Sequence, residues 1–426
     1  MKADYTQLLI EVQKKANIVV RNISDITFLK VEIETETTNI IGFNTLRRLF
    51  GFLEKTKPSI KTLNTLAAYI GFSSFYKYQN HQINYDEWYF QQNLKRIQLS
   101  KKITADDVIS INSSLLNDSN IIYLAYFLSF QIQENNLQIL DFIFKNVNFK
   151  SITNTNFHKF STIISSTLLS VSEKKALLIY EKLINYDVFK NNAPLLYIDY
   201  TNLNGRYGKI LNIVEKFNNN PSDLFFLQLM KSYVNYYITG IGLSVLDIKK
   251  PKEFETFHIV LRGRFYGYCI LKNAKLDTNL KKEIHQICKN VRVNKFLQEI
   301  VPALIIKERY AFLEELIDLY YEDLFESDRW DHVTSTAIYL IALANINYTN
   351  NNIKSAISSL ELVELDKIEL GYENYITLFY YLTKLKISFS EKNKLENIKV
   401  FLSIKKIVKI TGFKKFITES KKYLLK

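Results

Sequence analysis

Polar and basic side chains lie together on one face of a short amphipathic segment near the start of the chain. Between Gly42 and Leu53 the apolar residues recur at helical spacing and form a single stripe. The side chains left on the opposite face are Asn44, Thr45, Arg47 and Arg48. Arginine can bond the edge of guanine through two hydrogen bonds, and asparagine can do the same for adenine. This face therefore has the chemistry needed to read base edges in a DNA groove.

A second helical segment follows the first after a polar linker. Ser59 is a suitable N-cap for it and Gly71 a suitable end. Its apolar stripe consists of Leu63, Leu66, Ala67 and Ile70. Lys55, Lys57 and Lys61 lie in the linker and the first turn, where they could hold phosphate groups. We therefore expect two packed helices that present cations beside the polar face.

The span from Ser24 to Phe72 resembles the helix-turn-helix domains of repressor and Cro type. In this comparison Asp25 to Glu34 would be the supporting helix, Asn44 to Gly51 the recognition helix and Thr62 to Ile70 the packing helix. The sequence predicts a connection of about eight residues, Thr35 to Gly42, between the first two, longer than the usual turn of three or four. The resemblance implies DNA binding, and a homodimer if the site is palindromic.

The rest of the chain is typical of stacked helices. Only 11 Gly and 5 Pro are present in 426 residues, and short Asn-rich turns separate amphipathic stretches. The clearest unit runs from Ala337 to Glu369, with Leu340, Leu343 and Ala344 on one helix and Ala356, Leu360 and Val363 on the next. This unit resembles the tetratricopeptide repeat. We expect an all-α fold, in which a small helix-turn-helix-like domain precedes a degenerate α-solenoid.

Charge and composition suggest three regions. These are a helix-turn-helix-like domain over residues 1–100, a repeat array over 101–383, and basic C-terminal helices over 384–426 that cap the array. From Lys384 onward thirteen lysines stand against three acids, whereas the chain as a whole carries a net charge of +13. Such a tail is typical of a surface for nucleic acid or another anionic partner, and equally of a solvated face.

Other basic residues could add nucleic-acid contacts. Arg262 and Arg264 alternate with aromatic residues as far as Tyr268, and arginine and aromatic faces can stack on unpaired bases. The simpler interpretation is a helix that packs its rings inward and exposes two arginines. Lys405, Lys406 and Lys409 lie on a basic amphipathic stretch that could contact phosphates, anionic lipid or a partner helix, or cap the array.

The sequence offers little to catalysis. It has two cysteines and five scattered histidines, none at zinc-ligand spacing, and no phosphate-binding loop or nucleophile motif. Acids cluster from Glu314 to Asp331, in a spacing that favours a solvated face over a metal site. We expect no enzyme activity, no cofactor and no metal. The scarce cysteines, and a first segment unlike a signal peptide, favour the cytoplasm, and no stretch is long enough to span a membrane.

A helix-turn-helix-like module joined to a tetratricopeptide-like array resembles the bacterial peptide-sensing regulators. The resemblance implies a cytoplasmic bacterial regulator that binds DNA through its N-terminal module and a peptide or protein ligand through its repeat array. One alternative is a protein-interaction scaffold with no nucleic-acid role. Another is a single-stranded nucleic-acid or RNA-binding protein that uses the segment from Arg262 to Tyr268 and the basic tail.

Overall fold

The computed structural model describes residues 5–81, 86–150, 152–217, 221–240, 243, 247–325 and 333–424. These residues form α-helices joined by turns and short 3₁₀ segments, and none of them lies in a β-strand. The prediction of an all-α fold is confirmed for this part of the chain. No helix within these ranges combines the length and the apolar character that a membrane crossing requires.

The chain divides into two compact units, residues 1–89 and 90–426. Unit 1 contains the segment with the polar face, and unit 2 contains the remaining helices. The expected boundary at residue 100 lies at the end of a helix that begins at Asp86. The expected boundary at residue 384 lies inside the helix Glu373–Ser390, so the basic tail continues from the helix before it.

Unit 1 has five helices around its own apolar core. They are α1 Thr6–Lys15, α2 Ile23–Thr37, α3 Phe43–Leu49, α4 Ile60–Tyr69 and α5 Phe75–His81. Helix α2 contacts both α3 and α4, while α1 packs on α4. Leu8, Ile26, Leu46 and Leu66, one from each of the first four helices, are fully buried. Helix α1 ends at Lys15, because the chain turns at Asn17 in a left-handed conformation.

Nineteen further helices lie in the described residues; the first crosses the boundary between the units, and the other eighteen belong to unit 2. They are α6 Asp86–Ser100, α7 Ala105–Ser114, α8 Ile121–Gln133, α9 Leu137–Asn146, α10 Asn154–Ser170, α11 Glu173–Leu183, α12 Asp187–Asn192, α13 Arg206–Lys216, α14 Pro221–Val234, α15 Ile259–Lys272, α16 Thr278–Cys288, α17 Val293–Ile306, α18 Tyr310–Leu319, α19 Tyr321–Phe325, α20 Val333–Thr349, α21 Ile353–Glu361, α22 Glu373–Ser390, α23 Lys394–Thr411 and α24 Lys414–Ser420.

The first half of unit 2 stacks helices locally. Helix α8 contacts α9 and α10, α9 contacts α11, and α11 contacts α13. Later in the unit, α20 and α21 form the predicted pair, and Ala337, Ala344, Ala356 and Leu360 are buried as expected. Leu340 and Leu343 are only half-buried, although α17, α18, α21 and α22 all contact α20.

The second half of unit 2 closes on itself. Helices α14, α15, α17, α20, α22 and α24 contact one another in this order, and α24 also contacts residues 235–239, a π-helical turn that continues α14. At the closure the ring of Tyr237 lies 5.5 Å from that of Phe413 and 6.0 Å from that of Phe416. In an α-solenoid each repeat contacts only its neighbours. The closure is therefore a departure from the array that the sequence suggested.

The physical reason for the closure is a segment without helix, residues 193–205, that reaches helices distant in sequence. The ring of Tyr200 stacks on that of Tyr375 at 4.5 Å, and its hydroxyl donates to the carboxylate of Glu299 on α17 (2.9 Å). The N–H of Thr201 donates to the carbonyl of Gly371 (2.9 Å), whose positive φ of 91° suits glycine. Sequence periodicity does not reveal such contacts.

Candidate nucleic-acid interface

Helix α3 begins and ends at glycines. The carbonyl of Gly42 accepts the first intrahelical hydrogen bond, from the N–H of Leu46 (3.1 Å). At the other end the N–H of Phe52 donates to the carbonyl of Arg47 (2.8 Å) around Gly51, whose φ is +83°. This is the Schellman arrangement, which needs a left-handed residue after the helix and therefore favours glycine there. The helix is thus limited to residues 43–49.

Helix α4 is fixed in the same way. The side chain of Ser59 accepts from the N–H of Thr62 (3.2 Å), and the N–H of Phe72 donates to the carbonyl of Ala67 (2.9 Å) around Gly71. Both predicted ends of α4 are therefore confirmed. The N-cap at Ser59 places Lys61 in the first turn of α4. The linker that contains Lys55 and Lys57 therefore ends at Ser59.

The polar face of α3 consists of four side chains with different surroundings. Asn44 is exposed, and its side-chain carbonyl accepts a hydrogen bond from the guanidinium of Arg47 (3.3 Å). That guanidinium also lies 5.8 Å from the ring centre of Phe43. Arg48 and Thr45 are partly exposed. Asn44 therefore contacts Arg47, three residues away, and keeps its amide N–H groups for another partner.

The five cations of this region have no carboxylate partner. Arg47, Arg48, Lys55, Lys57 and Lys61 form no ion pair with any described residue of the chain. The three lysines are exposed, and the single acid between residues 43 and 61 is Glu54. Unpaired cations beside a hydrogen-bonding Asn–Arg pair can bind an anionic ligand such as a phosphate backbone.

Two acids of α2, Glu34 and Glu36, are engaged by other residues of unit 1. Glu34 pairs with Lys30 at 2.6 Å and accepts from the N–H of Ile41 (3.0 Å). The hydrogen bond from Lys30 and that from Ile41 lower the pKa of Glu34 below its usual value. Glu36 pairs with Lys15 of α1. These carboxylates are thus neutralised by cations outside residues 43–61.

The connection between α2 and α3 is shorter than predicted. Helix α2 begins at Ile23, capped by a reciprocal pair of hydrogen bonds between Asn22 and Asp25, and extends to Thr37. Residues 38–42 alone join it to α3, where about eight residues were expected. The prediction was wrong because the polar residues Thr35 to Thr37 continue the helix; Thr35 and Thr37 satisfy their hydroxyls on carbonyls one turn back.

Arg264 does not belong to any nucleic-acid surface. Its side chain is fully buried within α15, with the guanidinium 3.3 Å from Glu299 and donating to the carbonyls of Leu195 (3.0 Å) and Leu196 (2.7 Å). Tyr372 also donates to Glu299 (2.9 Å), so both oxygens of this carboxylate are occupied. The sequence suggested an exposed arginine, and this suggestion is corrected.

Arg262, the other basic residue of this segment, is occupied as well. It pairs with Glu255, and its guanidinium lies 5.7 Å from the ring centre of Phe254. The aromatic residues Phe265, Tyr266 and Tyr268 are buried. The segment therefore offers neither free rings nor free arginines to unpaired bases.

The basic tail divides into exposed and buried lysines. Lys405, Lys406 and Lys409 are exposed on α23. Lys386, in contrast, is buried on α22, where its ammonium donates to the hydroxyl of Tyr310 (2.5 Å) and the side-chain carbonyl of Asn345 (3.2 Å). Burial lowers the pKa of Lys386 to about 8. Only part of the charge counted in the sequence is thus available to a partner.

No protein-family model matches this chain. No curated protein and no solved structure matches it either. The geometry of the described residues is therefore what supports any statement about function.

Unit 2 also contains a groove between α8 and α10. Its volume is about 630 Å³, and its exposed surface is more apolar than polar. It is lined by Ile122, Tyr126, Ile163, Gln133 and Lys159, together with several serines and threonines. Tyr126 is exposed at its edge. In the part of the chain that the structure describes, no group of three histidines, cysteines or acids could hold a metal ion; residues 326–331 of the predicted acidic cluster lie outside that part.

Sequence reasoning missed the residues that organise both units. Glu34 entered only as the end of the supporting helix, although its spacing of four residues from Lys30 indicates an ion pair on one helix face. Glu299 was not singled out at all. No local pattern could have identified it, since its partners Tyr200, Arg264 and Tyr372 come from three distant segments.

Proposed function

We propose that the chain is a non-enzymatic regulator that binds DNA through unit 1, with α3 as the reading helix. The observation that carries this proposal is the separation of charge within the unit. Glu34 and Glu36 are paired with Lys30 and Lys15, whereas the five cations between residues 47 and 61 have no carboxylate partner among the residues that the structure describes. Such cations would displace counterions from the phosphate backbone, and the release of these counterions favours DNA binding.

Asn44, Thr45, Arg47 and Arg48 are the proposed base contacts, and Lys55, Lys57 and Lys61 the proposed phosphate contacts. The five-residue connection from 38 to 42 supports the helix-turn-helix resemblance, because the motif has a short turn at this place. Fixed ends on α3 and α4 add support, since a reading helix must hold its side chains in register.

Binding of pooled genomic DNA fragments by the full chain tests the proposal, with fluorescence anisotropy measured at several salt concentrations. The double variant Arg47→Ala/Arg48→Ala should bind more weakly, and its affinity should depend less steeply on salt. The matched control is Arg21→Ala/Lys77→Ala, which removes the same charge from exposed positions of unit 1 outside α3. No binding at low salt, or an equal loss in the control, would contradict DNA reading by α3.

A second proposed activity, binding of a peptide or protein ligand, belongs to unit 2. The groove between α8 and α10 supports it, because its volume and apolar lining with a few polar groups suit a peptide side chain or short segment. Selection of a random peptide library on the wild-type chain, with counter-selection on Tyr126→Asp, tests it. Tyr76→Asp is the control, as Tyr76 is equally exposed in unit 1. If no enriched peptide depends on Tyr126, the groove is not the ligand site.

A protein-interaction scaffold without a nucleic-acid role is the alternative function. It shares the groove with the leading proposal and differs only in unit 1. The scaffold function would be favoured if the chain selects peptides but does not bind genomic DNA.

A further inference from the structure

A cavity of about 390 Å³ lies where the second half of unit 2 closes. Its walls come from the π-helical turn after α14, from the C-terminal ends of α15 and α17, and from α24 and the residues after it. We call it the closure pocket, because a ligand inside it would contact both sides of the closure. Among the residues that the structure describes, its charged lining consists of four lysines and two glutamates, namely Lys272, Lys307, Glu308, Lys415, Glu419 and Lys422.

Glu419 is the buried carboxylate of the closure pocket. Its side chain is only 6% exposed, and its two oxygens pair with Lys415 (2.9 Å) and with Lys422. Burial by itself would raise the pKa of Glu419, but the hydrogen bonds from the two lysines outweigh it and hold the pKa below its usual value. The carboxylate is therefore ionised, and it holds both lysines at the wall of the pocket.

Lys307 is the cation that this carboxylate does not pair with. Its ammonium donates to the carbonyl of Leu271 (3.1 Å) and forms no ion pair with any residue that the structure describes. Burial, together with the nearby positive charges of Arg309 and Lys415, lowers the pKa of Lys307. An anion beside this ammonium would offset both effects. The carbonyl takes one donor of the ammonium and leaves the others for a ligand.

The positive charge of the closure pocket exceeds what nearby acids neutralise. Lys272 pairs with Asp247 (3.0 Å), and Glu308 accepts a hydrogen bond from the hydroxyl of Tyr423 (2.7 Å). When Asp247 is counted with the lining, four positive charges stand against three negative ones. Arg309 adds a further positive charge close to Lys307. The pocket therefore favours an anionic ligand.

The apolar part of the closure pocket would hold the body of such a ligand. Leu271 and Ile306 lie there, together with the ring of Tyr236, whose centre is 5.2 Å from the ammonium of Lys415. The volume of the pocket falls within the roughly 300–1,000 Å³ of typical small-molecule sites. A bare inorganic ion would leave most of this volume unfilled, whereas a molecule with a charged end and an uncharged body matches both parts of the lining.

We propose that the closure pocket binds a small organic phosphate from solution. A phosphate monoester carries about 1.5–2 negative charges at pH 7 and has three strong acceptor oxygens. It suits the ammonium groups of Lys307, Lys415 and Lys422, which face a single buried carboxylate. Lysine binds phosphate as a point charge and does not need the planar geometry that arginine imposes. The pocket belongs to unit 2, and its ligand is independent of DNA binding by unit 1.

Isothermal titration calorimetry of the full chain at constant ionic strength tests the proposal. The probes are inorganic phosphate, adenosine 5′-monophosphate and glucose 6-phosphate. At least one of the two esters should bind more tightly than inorganic phosphate, because its body fills the apolar part of the pocket. Adenosine and glucose, which lack the negative charge, should not bind.

Variants of the pocket lysines test where the phosphate lies. Lys307→Gln should weaken binding of the tighter ester by about tenfold or more, because a hydrogen bond between charged groups is lost. Lys307→Arg keeps the charge and should retain most of the affinity. Lys422→Gln, at an exposed position, is a second variant that loses charge, and circular dichroism checks its helix content. The matched control is Lys405→Gln, an exposed lysine of α23 outside the pocket, which should bind as the wild type does.

Two further arms separate this site from other phosphate sources. Arg47→Ala/Arg48→Ala should bind the ester normally, since it changes unit 1 alone, and loss of binding in this variant would place the phosphate site there. Vesicles of phosphatidylcholine with phosphatidic acid should not sediment the chain; sedimentation that requires Lys307 would assign the pocket to a lipid headgroup and overturn the proposal of a soluble ligand.

Three other results would contradict the proposal. The first is that none of the phosphate probes binds at millimolar concentration, and the second is that neither ester binds more tightly than the inorganic ion. The third is that Lys307→Gln and Lys422→Gln bind as the wild type does, or lose no more affinity than Lys405→Gln. Because DNA is absent from these titrations, failure here leaves the DNA-binding proposal to its own test.

Discussion

Two pairs of basic residues, Arg47 with Arg48 and Arg262 with Arg264, look alike in the sequence and differ completely in the structure. Each pair lies on a helix among apolar residues. Within the described parts of the chain the first pair has no carboxylate partner, whereas Arg262 pairs with Glu255 and Arg264 is buried against Glu299. An arginine is thus available to a ligand only where its own chain does not supply an anion.

The difference follows from what surrounds each helix. Helix α3 belongs to a small unit whose paired acids Glu34 and Glu36 are matched by lysines elsewhere in the unit. Helix α15 packs closely on α17, where a side chain at Gly263 or Gly267 would collide with the α17 backbone. Close packing leaves a long cation no route to solvent, so a buried carboxylate must accompany it.

The largest expected effect is the loss of stability in Arg264→Met. Removing one partner of a buried ion pair typically costs about 3–5 kcal/mol, because the other charge is left buried and unpaired. Glu299 would retain Tyr200 and Tyr372 as donors, but no cation. Urea denaturation measures the free energy of unfolding. Arg262→Ala is the control, expected to cost about 1 kcal/mol or less because its partner Glu255 is exposed. If Arg264→Met and Arg262→Ala lowered the free energy of unfolding equally, the burial of Arg264 would not distinguish it from Arg262.

The second prediction concerns Arg48→Ala, which should weaken DNA binding and leave stability unchanged. A base-reading arginine typically contributes about 1–3 kcal/mol to binding. The side chain of Arg48 is partly exposed and has no hydrogen-bond partner among the described residues, so its removal should change the free energy of unfolding by less than about 0.5 kcal/mol. Anisotropy titrations and urea denaturation of the same preparation measure both quantities. A large loss of stability would assign Arg48 a structural role like that of Arg264.

The third prediction extends the comparison to the lysines of the tail. A lysine in the unfolded chain titrates near a pKa of about 10.4, whereas burial lowers the pKa of Lys386 to about 8. Between these values the unfolded state holds more protons, so the contribution of Lys386 to the free energy of unfolding rises with pH, by up to about 1.4 kcal/mol per pH unit.

Burial raises the pKa of tyrosines such as Tyr200 well above the usual value. Above a pH of about 10 the folded state therefore holds more protons on these tyrosines than the unfolded state does, and their contribution to the free energy of unfolding falls as pH rises. The informative quantity is therefore the difference between wild type and Lys386→Met, measured by urea denaturation from about pH 8 to pH 10. Parallel pH profiles for the two proteins would show that Lys386 keeps its charge in the folded state.

The smallest effect is expected for the exposed lysines of α23. The triple variant Lys405→Gln/Lys406→Gln/Lys409→Gln should keep the wild-type free energy of unfolding within about 0.5 kcal/mol, because these side chains lie in solvent. Its DNA affinity should change less than that of Arg48→Ala. A larger loss would move the main DNA-binding surface from unit 1 to the tail.

Much of unit 1 could be predicted from the sequence because its signals are local. Ser59, Gly51 and Gly71 mark helix ends through backbone geometry that depends on neighbouring residues alone. The connection before α3 was misjudged because threonines in a helix can satisfy their hydroxyls on the preceding turn, which a count of polar residues does not show.

The all-α class, the apolar stripes of α3 and α4, and the cations that flank them follow from the amino-acid sequence, since helix periodicity and capping act over a few residues. The closure of unit 2 around Tyr200, and the burial of Arg264 in contrast to Arg47 and Arg48, emerge only in the folded protein. These outcomes depend on residues that lie far apart along the chain. Packing between distant segments determines which charged side chains form ion pairs, and the spacing of residues along the chain does not indicate it.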